Sequence, residues 1–431
     1  MAILIKGGRV IDPARNLDGR QDILIEGEKI TTMAASLEAP AGARVIDAGG
    51  RIVTPGLIDM HVHLREPGYE QKETIASGTR AAAAGGFTAV ACMANTNPVA
   101  DSASVIYFIK EKARQEGVVR VYPVGALSKG LEGKEIAEIG DLAAAGAVAI
   151  SDDGHPVMNA LVMRHALEYA KMFNLPVISH CEDEALANDG LMHEGLMATI
   201  LGLRGIPAAA EEVMVARDLI LAELTGGRLH LAHVSTAGSV RLLKEARARG
   251  VRVTAEATPH HLCLTDELVQ GYDTSTKVNP PLRPAGDVAA VAAALAAGDI
   301  DAIASDHAPH ADEEKDVEYD YAPFGMVGLE TAVPLVVTEL ILPGKLTWQQ
   351  AIKSWTANPA RILNIPGGSL VPGGVADVTI IDPDLEKEVE VNEFYSRGHN
   401  SPLQGRKLKG WPVLTIVGGR VVMENGKIVE E

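Results

Sequence analysis

The chain has 431 residues, of which 47% are hydrophobic and 22% charged, the composition of an ordinary globular protein. Its 57 acidic residues outnumber 39 basic ones, for a net charge of −18. That balance excludes the basic surface that nucleic-acid binding requires and the lysine–arginine clusters that hold anionic membranes.

The N-terminal stretch MAILIKGGRVIDPARN lacks the charged start, long apolar core and small-residue cleavage site of a signal peptide. Residues 1–51 read as short strands with glycine at the corners: ILIKGGRVI, DILIEGEKI and ARVIDAGG. From 52 to 365, short apolar strands alternate with helical stretches. The strands are VTPGLIDMHVHL, FTAVACM, VRVYPVGAL, AVAISDDG, PVISHCE, RLHLAHVS, VRVTAEATPHH and IDAIASDHAPH. Eight strand–helix units in about 300 residues match the size of a (β/α)8 TIM-like barrel. A doubly wound open sheet is the alternative, but the GxGxxG it would carry after its first strand is missing. Residues 366–431 return to the style of the start, with ADVTIIDPD and VLTIVGGRVVMENGKIVE. Neither end has enough strands for a stable sheet alone, so the termini are expected to pair into one small β-sandwich domain. No apolar run reaches the about 20 residues of a membrane span. Cys92, Cys181 and Cys263 are scattered and form no CxxC pair, which points to a reducing, cytoplasmic setting.

Chemically capable side chains sit at the ends of the barrel strands, the end that faces a barrel's active site. His61 and His63 are two residues apart on the first strand, so both imidazoles can face one point. Asp153 follows the fourth strand, His180 the fifth, His233 the sixth and Asp306 the eighth. Four imidazoles and two carboxylates suit zinc or a similar divalent ion. One tetrahedral ion uses four donors. Two ions about 3.5–4 Å apart, sharing a carboxylate and a water, use all six. The expected content is therefore one or two zinc ions per chain, with two accounting for every donor.

HVHLREPG after VTPGLID, the pair His180 and His233, and SDHAPH together resemble the cyclic amidohydrolases. This family comprises dihydroorotases, hydantoinases or dihydropyrimidinases, and allantoinases. The resemblance spans nearly the whole chain and is nearest to the bacterial long-chain dihydroorotases. MANTNP, ISDDG, EATPHHL, KVNPPLR and APFGMVGLET support it. Hydantoinases and allantoinases typically bridge two metals with a carboxylated lysine at the fourth strand. AVAISDDG offers no lysine there. The resemblance implies an aspartate bridge, Asp153 by position, with Asp152 competing. The rivals are a hydantoinase or allantoinase, and a non-catalytic dihydroorotase-like subunit, which would be expected to lack ligands.

The resemblance implies reversible cyclisation of N-carbamoyl-L-aspartate to L-dihydroorotate in de novo pyrimidine biosynthesis. Metal-bound hydroxide attacks a ring amide carbonyl, and Asp306 carries the proton between water and ring nitrogen. It assigns Arg65, Asn95 and His310 to the substrate carboxylate, and Asn279 with the backbone of Phe324 and Gly325 to the ring amide edge. His63 also belongs to the substrate contacts. His260 and His261 read as packing groups beside the ligands. The acidic segment 310–325 after the last strand reads either as a lid or as a solvated loop. A homodimer and association with aspartate carbamoyltransferase are implied at the family level only, without a motif behind either.

Overall fold

The computed structural model describes residues 2–429. The first strands are β1 (Ala2–Asp12), β2 (Leu17–Glu26), β3 (Lys29–Ala34), β4 (Arg44–Asp47) and β5 (Ile52–Pro55). The barrel strands follow: β6 (Leu57–Val62), β7 (Phe87–Cys92), β8 (Arg120–Gly125), β9 (Ala149–Ser151) and β10 (Pro176–Ser179). A short ribbon, β11 (Met192–His193) with β12 (Gly205–Ile206), interrupts the series. The barrel then continues with β13 (Arg228–Leu231), β14 (Val253–Ala257) and β15 (Ala302–Ile303). The chain ends in β16 (Val378–Glu388), β17 (Lys407–Val417), β18 (Arg420–Glu424) and β19 (Lys427–Ile428).

The eight barrel strands are hydrogen-bonded in parallel in the order β6-β7-β8-β9-β10-β13-β14-β15. The seam between β6 and β15 is closed by few backbone bonds. The His63 N–H donates to the His307 carbonyl at 2.9 Å, and the Asp59 carboxylate accepts the amide N–H groups of Ser305 and His61, each at 3.1 Å. Helices such as Ile75–Ala84, Ala160–Ala170, Ala208–Thr225 and Ala237–Ala248 connect the strands, as right-handed crossovers between parallel neighbours require. Thr74 and Thr236 accept N–H bonds at the first turns of two of them, satisfying donors that a helix start leaves free.

Strands from both termini form one nine-stranded sheet, β19-β18-β17-β16-β5-β1-β2-β3, with β4 also beside β1. The two ends meet directly at an antiparallel bridge between Lys29 and Val375, with Ile30 N–H donating to the Gly374 carbonyl at 3.0 Å; elsewhere β5 lies between β1 and β16. A boundary after Arg51 would give Ile52–Pro55 to the barrel, yet both edges of that strand are bonded within the terminal sheet. The chain crosses at Gly56, where a Cβ would lie 2.1 Å from Thr88 Oγ1, so a residue without one lets the backbone turn in closely. The core of this domain joins Ile5, Ile23 and Ile25 from the front of the chain to Val378, Ile380 and Ile416 from the back. Burying this shared apolar face gives each end the partner it lacks alone.

Residues 366–431 are not confined to that domain. Asn400 Nδ2 donates to the carbonyls of Ala308 and Gly325 at 3.1 and 3.0 Å, and Ser396 Oγ donates to Glu73 at 2.6 Å. The C-terminal segment thus returns to brace the barrel mouth.

Candidate metal centre

The side chains expected to bind metal converge at the C-terminal end of the barrel. His61 Nε2 is 3.1 Å from Asp153 Oδ2 and 3.4 Å from Asp306 Oδ1. His63 Nε2 is 3.4 and 3.1 Å from the same two oxygens. The other oxygen of Asp153, Oδ1, is 3.4 Å from His233 Nε2 and 3.6 Å from His180 Nδ1. Asp153 therefore stands between two imidazole pairs, one oxygen toward each. Asp152 turns the other way: it accepts the N–H groups of Leu127 and Ser128 at 2.8 and 2.9 Å and the Ser128 hydroxyl.

The electrostatics of the cluster favour cations. Burial disfavours charge on His61, but Asp153, Glu256 and Asp306 outweigh it and raise that imidazole well above the usual histidine range. Burial likewise opposes ionisation of Asp153 and Asp306, and the surrounding histidines overcome it, holding both carboxyls below the usual range. Glu256 is held down to about 2 in the same way: burial opposes the charge, and His61 and His230 prevail. Three ionised carboxylates in one dry cluster demand positive partners. His61 Nε2, Asp153 Oδ1 and His180 Nε2 are buried without a hydrogen-bond partner, a condition that native interiors rarely leave uncompensated. The donor set fits borderline-soft divalent ions such as zinc.

Beneath the candidate ligands lies a layer whose acids sequence reasoning missed. Glu256 accepts from His61 Nδ1 at 2.6 Å and meets His230 Nε2 at 3.1 Å, while His230 Nδ1 is 2.8 Å from Thr254 Oγ1. With Nδ1–H given to Glu256, His61 turns Nε2 to the cluster, where a bound cation would take the place of its proton. Asp59, raised to about 7 by burial despite bonds from Ser305 and His61, holds the adjoining seam. The available signal was an acid inside an apolar strand, in LIDMHV and in VTAEA.

Arg65, Asn95, Asn279, His310, Phe324 and Gly325 line a cavity of about 190 Å³ whose floor includes His63, Asp153, His180, His233 and Asp306. Asn95 Oδ1 is 2.9 Å from His63 Nδ1, which fixes the second imidazole. Arg65 Nε donates to the Pro309 carbonyl at 3.2 Å, leaving its two terminal nitrogens free of that bond. His310 Nε2 donates to the Phe324 carbonyl at 2.8 Å, and burial, with Arg65 next, lowers the His310 pKa to about 3. Gly325, at φ +137°, would place a Cβ 2.8 Å from the Ala308 carbonyl, so only glycine lets this backbone sit against the cavity. Arg65, His233 and Asp306 also have positive φ, at 61°, 31° and 48°, a conformational cost that tends to gather at functional positions.

Segment 310–325 is strapped down. Lys315 Nζ donates to the carbonyls of Thr274 and Pro323 at 3.0 and 2.7 Å. Lys277 Nζ donates to those of Tyr319 and Asp320 at 2.8 and 3.0 Å. Neither lysine was singled out from the sequence. His261 Nε2 donates to the Pro280 carbonyl at 2.9 Å, steadying the turn that carries Asn279. His260 is buried beside it with an unpartnered Nε2.

Residues 50–239 match the family described as dihydro-orotase-like. The whole chain is similar to a dihydroorotase of Pelotomaculum thermopropionicum, at 64% identity over 99% of each chain. It is also similar to a dihydroorotase of Geobacter sp., at 53% identity over 99% of this chain and all of that one. Among solved structures it resembles the L-hydantoinase (dihydropyrimidinase) of Arthrobacter aurescens, with a TM-score of 0.91 at 26% identity, covering 100% of this chain and 97% of that one.

Proposed function

The chain belongs to the dihydroorotase family and is a hydrolase of cyclic amides; on that premise we propose that it interconverts N-carbamoyl-L-aspartate and L-dihydroorotate at a two-zinc centre. The observation that carries this reading is Asp153, set with one oxygen toward His61 and His63 and the other toward His180 and His233. His61, His63, Asp153, His180, His233 and Asp306 would hold the ions. Bound zinc lowers the pKa of a coordinated water toward about 7 and polarises a carbonyl oxygen.

The chain's own residues supply orientation and proton movement. Asp306 remains ionised at neutral pH, so its carboxylate takes the proton of the attacking water and delivers it to the departing ring nitrogen. In the closing direction it removes the proton from that nitrogen. Arg65 offers its free guanidinium edge to the substrate carboxylate as a planar fork, with Asn95 and His310 beside it. Carbonyl oxygens of Phe324 and Gly325 accept one bond each from protein and keep a second lone pair for a ring N–H. Asn279 Oδ1, buried and without a partner, is a further acceptor for that edge. An aspartate at the bridging position, where the hydantoinase pattern has lysine, and Arg65, matched to an acidic substrate, both favour dihydroorotate over hydantoins.

Among the described residues, no helix is long and apolar enough to cross a membrane, and the three cysteines are free, which suits the cytoplasm. The deciding experiment combines metal analysis with assays on dihydroorotate and hydantoin. We expect one to two zinc ions per chain, dihydroorotate turnover and none of hydantoin. Full activity after metal removal, or preference for hydantoin, would overturn the reading.

A further inference from the structure

At the N-terminal end of the barrel, opposite the candidate metal centre, Arg228, Arg252 and Arg361 line a second cavity of about 240 Å³, with Pro176 and Thr254 in its wall. Arg228 opens β13, and Arg252 immediately precedes β14. The register that pairs Leu229 with Val253 sets the two arginines side by side. Like charges opposite each other on neighbouring strands are destabilising. Burial first, then Arg252 and Arg361, depress the pKa of the Arg228 guanidinium. Compensation is thin. Arg361 reaches Asp301 Oδ1 at 3.4 Å, and that carboxylate is shared with Arg247 and the Ala255 N–H, which use its other oxygen. Arg228 donates to the carbonyls of Asn174 and Ile362, which fixes its plane without neutralising it. A chain with a net charge of −18 thus concentrates three cations in one hollow. Such a local conflict is expected where a ligand resolves it.

The hollow is also wired to the other end of the barrel. Thr254, in its wall, bonds His230 at 2.8 Å; His230 meets Glu256 at 3.1 Å; and Glu256 holds His61 Nδ1 at 2.6 Å. This file of side chains runs through the barrel interior and ends on a residue of the metal cluster.

We propose that the hollow binds a multivalent oxyanion of the phosphate type, and that its occupancy is felt at the metal centre through Thr254, His230 and Glu256. Planar guanidinium groups match phosphate oxygens in pairs, and three charges, one held in place at Arg228 and two exposed at Arg252 and Arg361, suit an anion carrying two negative charges better than a monocarboxylate. The binding half of the proposal stands apart from the zinc reading; the communication half rests on it.

The test is calorimetric titration of the zinc-loaded protein with inorganic phosphate at low ionic strength, where such contacts are least screened. One equivalent should bind. Arg252→Ala and Arg361→Ala should each weaken it roughly tenfold, with zinc content and basal activity unchanged. No binding, or binding that survives the double substitution, overturns the site. A nucleoside monophosphate identifies the source: tighter binding than phosphate assigns the hollow to a nucleotide, and equal binding assigns it to the free anion. For communication, phosphate should shift zinc affinity, measured against a chelator, in the parent but not in Thr254→Val, which still binds phosphate. An equal response in both proteins, or none in the parent, removes the communication.

Discussion

Replacing Glu256 separates orientation of a proposed metal ligand, His61, from simple filling of the barrel. The carboxylate accepts from His61 Nδ1 at 2.6 Å and from His230 Nε2 at 3.1 Å, with all three side chains fully buried. Glu256→Gln keeps the shape. Its amide oxygen can accept from His61, and its NH2 can donate to His230 once that ring places its proton on Nδ1, toward Thr254 Oγ1. The bonds survive and only the charge is lost. The expected cost is about 10–100-fold in zinc affinity, or about 1.4–2.7 kcal/mol, with folding of the metal-free protein little changed. Glu256→Ala strands two buried ring nitrogens at about 1–3 kcal/mol each and leaves a void, so it should unfold earlier with or without zinc. Chelator competition gives the affinity, and thermal unfolding of metal-free and loaded protein gives the stability. Glutamine binding zinc as tightly as the parent does would refute the orienting role, and alanine melting at the parent temperature would refute the packing argument.

Arg65→Lys should raise the KM for dihydroorotate about 10–100-fold, since a two-pronged charge-assisted contact becomes a point charge; zinc content should stay constant, and loss of zinc instead would contradict the assignment. Asp153→Ala should lower metal occupancy, whereas Asp152→Ala should cost about 2–4 kcal/mol of stability by stranding the N–H and hydroxyl of buried Ser128, while zinc remains; a metal assay beside a denaturant melt distinguishes them. Asp306→Asn should slow closure and hydrolysis alike by about 10²–10⁴-fold, because both pass through one transition state; near-normal rates in a fully loaded variant would leave Asp306 only a ligand. Burial holds His261 down to about 3. A histidine depressed in the fold contributes stability above pH 6.5 that is lost as pH falls, by about 2.7 kcal/mol at pH 4.5, so metal-free His261→Gln should show a shallower acid limb in stability against pH.

The barrel was legible because its two periods differ: apolar runs of strand length alternate with helical stretches, and ligand-type residues recur at strand ends. The six converging side chains could be named because a strand end in a barrel is also a position near the axis. What escaped was anything set by the third dimension. β5 reads as a continuation of the barrel strand behind it, and only its pairing on both edges assigns it to the terminal sheet. The choice between Asp152 and Asp153 depends on which side chain meets the backbone of Leu127 and Ser128 and which meets the histidines; adjacent identical residues carry no local mark of that. Lys277, Lys315 and Asn400 bind carbonyls far away in sequence, and nothing in their own segments announces it.

Glu256 and His230 sit in the barrel interior because their neighbours there are small. Ala91, Ala149, Ala232, Ala302 and Ala304 pack into one buried group with Met60, Val124 and Ile178, whereas the larger Val177, Leu229, Leu231, Val253 and Ile303 belong to the layer facing the helices. A TIM barrel usually fills its axis with branched apolar side chains. Alanines from several strands leave a space that a glutamate and a histidine can occupy together. Isolated, each would carry a steep desolvation cost. Paired with each other, with Thr254 below and with His61 above, every polar side-chain atom of Glu256 and His230 has a partner. Enlarging one of these alanines should therefore harm metal binding as well as packing, since the added bulk displaces the carboxylate that orients His61. Ala232, between His230 and His233 at the end of β13, is the position where the two effects coincide most directly.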